Sequence, residues 1–598
     1  MRRLSVLLLM ASCEPPPGAP AQGAERIRPV VLAEDGAWCW FQDERALFIG
    51  ERLIVSSVSH DGDVQVSSYD LATGDRQGAV LARLERDDHD VPSLLHRSDG
   101  ALMAFYTKHN HDSLMRWRVS RGKGGDLSSW EPEQTFDTGV KISYSNPFQL
   151  AGEADAVYLF YRSLDISPSF SRSSDGGASW SPPARVIHSF DETRTHRPYV
   201  KYASDGAETI HLVYTDGHPN EFNGTAVAPL GNSVYHLYYR AGRLHRSDGS
   251  VVAPLVPGQS LDLAPGAGTL VHDGRDGEAF TWDLALDEEG NPVVVYATFP
   301  DESSEHATLG DHRYRYARWD GATWHDHAVA FAGRGQTLRS KHASGGIAID
   351  PDAVDTIYFA SSVDPIDGKP AGTGAFEIYR GRTGDGGASW RFEPITSDSA
   401  IDNIRPIVPA RHPTATAVVW MQGIYDEYFD SQNMRVVGLF GPAGARAGER
   451  TRDEAIAMTA RFDVGSTERA AGFVAVVPDG DGTATATAAG SVKLELSGVV
   501  GSEIRPRGGA LHRDFAYNDR GGAALGDKLH VRLTGLAPGA DHVVRLHQYD
   551  PEYHPLAEAY WFDGATRSLE ARGNANFLGA HRLVTGTANG AGALTLLL

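Results

Sequence analysis

The sequence predicts an all-β protein: a β-propeller over about residues 30–440, a linker at 441–454, and a small β-sandwich over 455–598. Three observations predict it. Short alternating apolar runs recur with no long amphipathic helix among them. Turn pairs punctuate them at short intervals. One eight-residue turn motif occurs twice.

The first residues precede the fold. Met1-Arg2-Arg3 is basic, Leu4 to Met10 is apolar and Ala11-Ser12 are small, the layout of an export signal. The apolar run is too short to span a bilayer. Cys13 follows Leu9-Met10-Ala11-Ser12, which is similar to a bacterial lipobox, so cleavage before Cys13 and lipid on its thiol are expected. The alternative is an ordinary secretory peptide cut near Ala21. Residues 1–24 are then signal and spacer, and the mature protein is expected to be periplasmic, outer-membrane-anchored or extracellular. The only other cysteine is Cys39, set in Trp38-Cys39-Trp40-Phe41 and expected to be a buried apolar thiol.

From about Val30 the runs alternate apolar and polar residues, as half-buried strands do: Leu53 to Val58, Val64 to Tyr69, Thr209 to Tyr214, Pro292 to Tyr296, Arg313 to Trp319, Thr356 to Phe359 and Ala417 to Trp420. Asp61-Gly62, Asp99-Gly100, Asp205-Gly206, Asp248-Gly249, Glu289-Gly290 and Asp320-Gly321 mark turns between them. Ser173-Ser174-Asp175-Gly176-Gly177-Ala178-Ser179-Trp180 recurs as Thr383-Gly384-Asp385-Gly386-Gly387-Ala388-Ser389-Trp390. This is the Asp-box, or BNR, repeat. Its Asp caps a hairpin turn, its glycines allow positive φ, and its Trp packs between blades. Seven blades would take roughly 58 residues each, and counting alone equally allows six or eight. Past the linker, Phe473 to Val477, Val492 to Leu496, Leu529 to Leu533 and Val543 to Leu546 are strand-like again. They resemble the carbohydrate-binding or spacer sandwiches of secreted polysaccharide enzymes, and a purely structural role is equally open.

A formal net charge of −22 excludes nucleic acid as a partner, because phosphate binding needs a basic face. An anionic substrate would need a local basic pocket. Lys108, His109, His111, Arg116, Arg162 and Arg197 are the residues to supply one. The surplus of acid elsewhere keeps the surface soluble.

Chemistry concentrates between Asp87 and Arg162. His89 lies in Asp87-Asp88-His89-Asp90 and His109 in Lys108-His109-Asn110-His111; Tyr144 opens Tyr144-Ser145-Asn146-Pro147, and Arg162 follows the strand-like Val157 to Tyr161. Imidazole, phenol and guanidinium at successive strand ends suit removal of a proton from a carbon beside a carboxylate. The guanidinium would neutralise the carboxylate, an imidazole would take the proton, and the phenol would assist the leaving oxygen. Taken singly, each of the four could be a turn, packing or ion-pair residue. Asp43, Arg45, Asp402 and Arg405 are expected to be scaffold ion pairs and His111 a bystander. No His-Glu-x-x-His or Cys pair marks a metal, and in His325-Asp326-His327 alternate residues on a strand face opposite ways. No cofactor is required by this chemistry, the metal content is unknown, and a structural calcium ion in a central channel would suit a propeller. Asn223-Gly224-Thr225 matches a glycosylation acceptor.

Trp38 to Ala46, the Asp-Asp-His-Asp run, Arg197 to Tyr202, Gly310 to Tyr314 and Asp402 to Pro406 together resemble the BNR-repeat β-propeller polysaccharide lyases, the rhamnosyl-glucuronate and ulvan lyase group. The resemblance covers most of residues 30–440. It implies seven blades and β-elimination at L-rhamnose-α-1,4-D-glucuronate linkages of an anionic polysaccharide. It implies His89, His109, Tyr144 and Arg162 as catalytic residues and Lys108, Asn146, Arg197 and Tyr199 as substrate-binding. Eighteen positions separate Tyr144 from Arg162, about two more than the group's habit, and His196 or Arg197 is the alternative for the carboxylate. A monomer is expected. Two other functions compete: a glycoside hydrolase on the same scaffold (a rhamnosidase or a sialidase, although the sialidase Arg-Ile-Pro motif is missing), and a non-catalytic glycan-binding propeller.

Overall fold

The computed structural model describes residues 26–188, 197–218, 232–299, 312–336, 343–372, 374–399, 401–425 and 432–447, and strands between 462 and 597. Cys13, His196, Asn223 and Gly310-Asp311 lie outside the described residues, as does the second half of the linker. Among the described residues the structure is all β, and the helices are single three-residue 3-10 turns.

Seven sheets follow one another along the chain. Blade 1 runs from Ala46–Ile49 to Arg76–Arg83, blade 2 from Ser93–His96 to Gln134–Asp137, and blade 3 from Ser143–Leu150 to Ala184–Arg185. Blade 4 begins at Val200–Ser204 and carries two extra strands. Blade 5 runs from Glu278–Leu286 to Trp324–Gly333 and blade 6 from Ile347–Ile349 to Arg391–Pro394. Blade 7 takes Asp402–Ile407, Thr416–Tyr425 and Gln432–Gly441 from one end of the ring and its outer strand, Val30–Ala33, from the other. Val31 pairs with Val437, so the ring is closed by backbone hydrogen bonds between distant parts of the chain. Closure leaves no open sheet edge at the seam, the standing hazard of a β protein.

The core lies between blades. One buried cluster joins Phe48 and Leu53 of blade 1 to Tyr358 of blade 6 and Trp420 and Leu439 of blade 7; another joins Phe148 and Phe160 of blade 3 to Leu212 and Tyr239 of blade 4. Each such side chain contributes about 1.5–3 kcal/mol by leaving water, so packing between neighbours, rather than any one hydrogen bond, holds the ring.

The two Asp boxes do what their residue types dictate. Asp175 Oδ1 accepts from the Ser179 backbone N–H at 2.9 Å, and Asp385 does the same for Ser389 at 2.9 Å. The Ser179 and Ser389 hydroxyls, which also donate to these carboxylates, and then the backbone N–H bonds pull both carboxyl pKa values down to about 2. Gly177 has φ +94°, a backbone conformation that glycine adopts without strain. Trp180 leaves blade 3 to stack on Phe136 of blade 2 at 5.7 Å, and Trp390 of blade 6 meets Tyr316 of blade 5 at 5.2 Å.

Beyond 447 the described residues form strands only. Lys493–Ser497, His530–Thr534 and Leu594–Leu597 sit at the centre of a six-stranded antiparallel sheet.

Candidate active site

The site is built on a floor that crosses from blade 7 to blade 1. After Val30–Ala33 the chain turns inward, and Trp38, Cys39, Trp40 and Phe41 are buried. Trp40 stacks on Trp282 at 4.4 Å, and Phe41 touches Tyr144 at 5.6 Å and Tyr199 at 4.7 Å. The floor is pinned by polar groups. Lys201, buried in blade 4, donates to the Trp40 carbonyl at 2.6 Å and pairs with Asp43, which Arg45 also holds at 3.2 Å. Asn146 accepts from the Asp43 N–H at 2.9 Å and donates to the Phe41 carbonyl at 3.1 Å. Both ends of its amide are thus bonded to the floor.

His89 comes from the connection between blades 1 and 2, and His109 from a connection within blade 2. His89 sits in a 3-10 turn, Asp88–Asp90, capped by Asp87, whose Oδ1 accepts from the His89 backbone N–H at 2.9 Å. His109 follows the strand Ala101–Tyr106, where Asn110 turns the chain with φ +62°. The rings stack face to face, 3.8 Å between centroids and 3° from parallel. One carboxylate spans both: Asp87 Oδ1 lies 2.6 Å from His89 Nδ1, and Asp87 Oδ2 lies 2.9 Å from His109 Nδ1. Asp88 Oδ1 approaches His89 Nδ1 as well, at 2.9 Å. Asp88 is itself fixed by Arg405 and the Tyr425 hydroxyl, each 2.6 Å away.

These neighbours set the two imidazoles apart. Burial opposes a charge on His89, but the acidic groups around it, Cys39, Asp87, Tyr144 and Asp88, raise its pKa well above 6.5. Of the four, the two carboxylates are charged at neutral pH. His109 is pushed down to about 4, by burial first and then by the charges of His89 and Arg162, with Asp87 opposing. Near neutral pH the pair is one imidazolium and one neutral imidazole.

Tyr144 stands beside them. A bulge in blade 3 between Ser143 and Asn146 lifts it out of the ladder with φ +62°, a strained conformation for a bulky residue that costs about 1–3 kcal/mol. The bulge points its ring at His89, 5.7 Å away, and at His109, 6.2 Å away. Burial raises the Tyr144 hydroxyl well above 10, with Arg162 pulling the other way, so the phenol keeps its proton. Arg162 pairs across the strand with Ser143 and lies over the Tyr144 ring at 4.6 Å. The hairpin between them turns through a 3-10 segment, Ala151–Glu153, followed by Ala154 and Asp155 at positive φ, which absorbs the long Tyr-to-Arg interval. Arg162 donates to the Tyr199 hydroxyl at 3.0 Å and to Ser143 Oγ at 3.2 Å, while its Nε is buried and unbonded. Arg197 lies over the outer side of Tyr199, 6.0 Å from its ring. A small hollow is lined here by Phe41, Tyr144, Asn146, Arg162, Pro198 and Tyr199.

The structure therefore brings His89, His109, Tyr144, Arg162 and Tyr199 together, with Arg197 at the rim. Lys108 stands further out, 4.0 Å from Glu85, which also holds His111 at 2.7 Å. Arg116 is paired with Asp112 at 2.5 Å and adds nothing to a basic pocket. Asp43, Arg45, Asp402 and Arg405 are in ion pairs as expected. Asp87 and Lys201 were missed by the sequence reasoning. The Asp-Asp-His-Asp run could have signalled Asp87; nothing local signals Lys201.

Among the described residues, three groups of side chains bring metal-ligating atoms within 4.8 Å of one another: Cys39–Asp88–His89, Asp87–His89–His109 and Asp350–Asp352–His412. In the second, both Nδ1 atoms are spent on one carboxylate. The two rings stack in parallel, 3° apart, on that carboxylate. That geometry suits a hydrogen-bonded unit, and in the first group Asp88 is already held by Arg405 and Tyr425.

Residues 39–332 match the model of a BNR repeat-containing family member. No curated protein matches the sequence. Among solved structures, the fold is similar to that of an ulvan lyase, described as a new family of polysaccharide lyase and bound to a glucuronate-(1-4)-rhamnose-3-sulfate unit. The TM-score is 0.53 at 16% identity, covering 70% of this chain and 97% of that one. An α-L-arabinofuranosidase from Fusarium graminearum is more loosely similar, with TM-score 0.36 and 12% identity over 69% of this chain and 98% of that one. The chain is thus a seven-bladed β-propeller whose fold is similar to that of an ulvan lyase, with residues 39–332 matching the BNR repeat-containing family model.

Proposed function

We propose that the protein is an exported polysaccharide lyase that breaks L-rhamnose-α-1,4-D-glucuronate linkages by β-elimination. The observation that supports this most is Arg162. Its guanidinium is 6% exposed, its hydrogen bonds go to two hydroxyls, and among the described residues no carboxylate pairs with it. A buried cation without a counter-ion is costly, by several kcal/mol, and a uronate carboxylate in the hollow would supply the missing charge.

The chemistry follows from the neighbours. The C5 hydrogen of a uronate is weakly acidic because its loss doubles the charge beside an existing carboxylate. Arg162 neutralises that carboxylate and stabilises the enolate-like transition state. His109, neutral because its pKa lies near 4, takes the C5 proton. The C5–H electron pair becomes the C4=C5 double bond, the C4–O4 bond breaks, and O4 leaves with a proton from Tyr144 or from the imidazolium of His89. In D-glucuronate the C5 hydrogen and O4 lie on the same face of the ring, so base and acid must stand side by side. Two imidazoles 3.8 Å apart beside a phenol meet that demand. No metal and no water nucleophile are needed. Tyr199 orients Arg162, and Arg197 and Lys108 extend a cationic path for neighbouring uronates. Export rests on Met1 to Cys13.

The test is incubation with gum arabic and with ulvan, following ultraviolet absorbance and product mass. The expected result is an unsaturated uronate at a new non-reducing end, with Arg162→Lys at least about 100-fold slower. Products heavier by one water and lacking the double bond would replace elimination with hydrolysis.

A further inference from the structure

Asp87 is buried, lies outside the hollow and reaches both histidines at once. We propose that Asp87 is the positioning residue of the site, a single carboxylate that fixes the tautomer and direction of both imidazoles; this rests on the elimination reading above.

Each oxygen of Asp87 accepts from one Nδ1, so each ring carries its proton there. In a neutral ring so fixed, Nε2 is the nitrogen that carries the lone pair, and the Tyr144 ring stands 5.7 Å from His89 and 6.2 Å from His109. Without a shared acceptor, two imidazoles 3.8 Å apart would be free to rotate or to exchange tautomers, and half of the resulting states present an N–H where the base needs a lone pair. Asp87 is itself held, because its Oδ1 also caps the turn that carries His89. The symmetry of the bridge is broken by Asp88, which approaches His89 alone. His89 therefore faces Asp87, Asp88, Cys39 and Tyr144, whereas His109 faces His89, Asp87 and Arg162. The extra carboxylate assigns the proton to His89 and leaves His109 as the base. The relation is that of an aspartate to a catalytic histidine, with one aspartate serving two rings.

The test combines histidine nitrogen NMR on the intact protein with kinetics of Asp87→Asn and Asp87→Glu on a uronate polymer. In the parent protein His109 should show a protonated Nδ1 and a bare Nε2, and His89 a protonated Nδ1, the signals being assigned with His89→Gln and His109→Gln. His109 in the other tautomer overturns the proposal, and this measurement needs neither turnover nor a variant that folds. In Asp87→Asn one ring loses its acceptor. The expected result is kcat at least about 100-fold lower with KM changed less than about threefold, a lower alkaline limb in the pH profile, and partial recovery in Asp87→Glu. Unchanged limbs, or a loss seen only as a lower Tm, would reduce Asp87 to a turn cap. If the parent protein eliminates no polymer at all, the lyase reading fails, and the tautomer measurement still decides the role of Asp87.

Discussion

At the scale of single residues, proton affinities decide what the site can do. His109 is held at about 4 and His89 well above 6.5, although both bond the same carboxylate. The sign of the pH dependence follows. The base must be unprotonated, so kcat/KM should rise as pH climbs through about 4 and His109 loses its proton. It should then hold across neutrality and fall only where His89 gives up its proton, above 6.5. The measurement is kcat/KM for unsaturated-uronate release over a broad pH range. An acid limb near 6.5 would mean that His109 titrates as an ordinary imidazole, and His89 would then be the better choice of base. Tyr144 does not titrate in this window, because burial keeps it protonated.

At the scale of elements, the Asp box shows which contact holds blade to blade. Asp175 sits on an exposed turn, and its bonds to Ser179 organise that turn alone. Trp180, five residues on, crosses to blade 2 and packs against Phe105, Trp117 and Phe136 at 5.7–5.9 Å. Trp180→Ala should therefore cost about 3 kcal/mol, the lower range for removing a large aromatic from a packed site, and Asp175→Ala much less. Calorimetry of the two variants checks the order; equal losses would make the turn, not the aromatic, the adhesive. This is also where the sequence was most legible. The Asp box gave the propeller because each of its positions has a local reason to be what it is. His89, His109, Tyr144 and Arg162 were legible as chemistry at strand ends. What was not legible depends on contacts across the ring. Asn146 is next to Tyr144 but serves the floor, because the bulge turns it toward Phe41 and Asp43. Lys201 looks like any strand lysine until Asp43, more than 150 positions away, is placed on it. Asp87 looks like one acid in a run of three until both histidines fold onto it.

At the scale of the whole molecule, the chain is acidic while the proposed substrate is itself an acid. The formal charge of −22 opposes the approach of a polyuronate, and the cations that favour it, Arg162, Arg197 and Lys108, are few and local. Range separates the two effects. The repulsion acts over the whole surface and is screened by salt, with a Debye length of about 30 Å at 0.01 M ionic strength and about 8 Å at 0.15 M. The pairing of a uronate with Arg162 takes place in a buried pocket and is screened far less. Raising ionic strength across that range should therefore raise kcat/KM severalfold for a long uronate polymer, while a short oligosaccharide of the same linkage changes little. An enzyme that reads its polymer along a basic surface track would behave oppositely, losing kcat/KM steadily with salt. A monotonic fall for the polymer would thus place the recognition on the outer face of the propeller and leave the buried arginine as a scaffold cation.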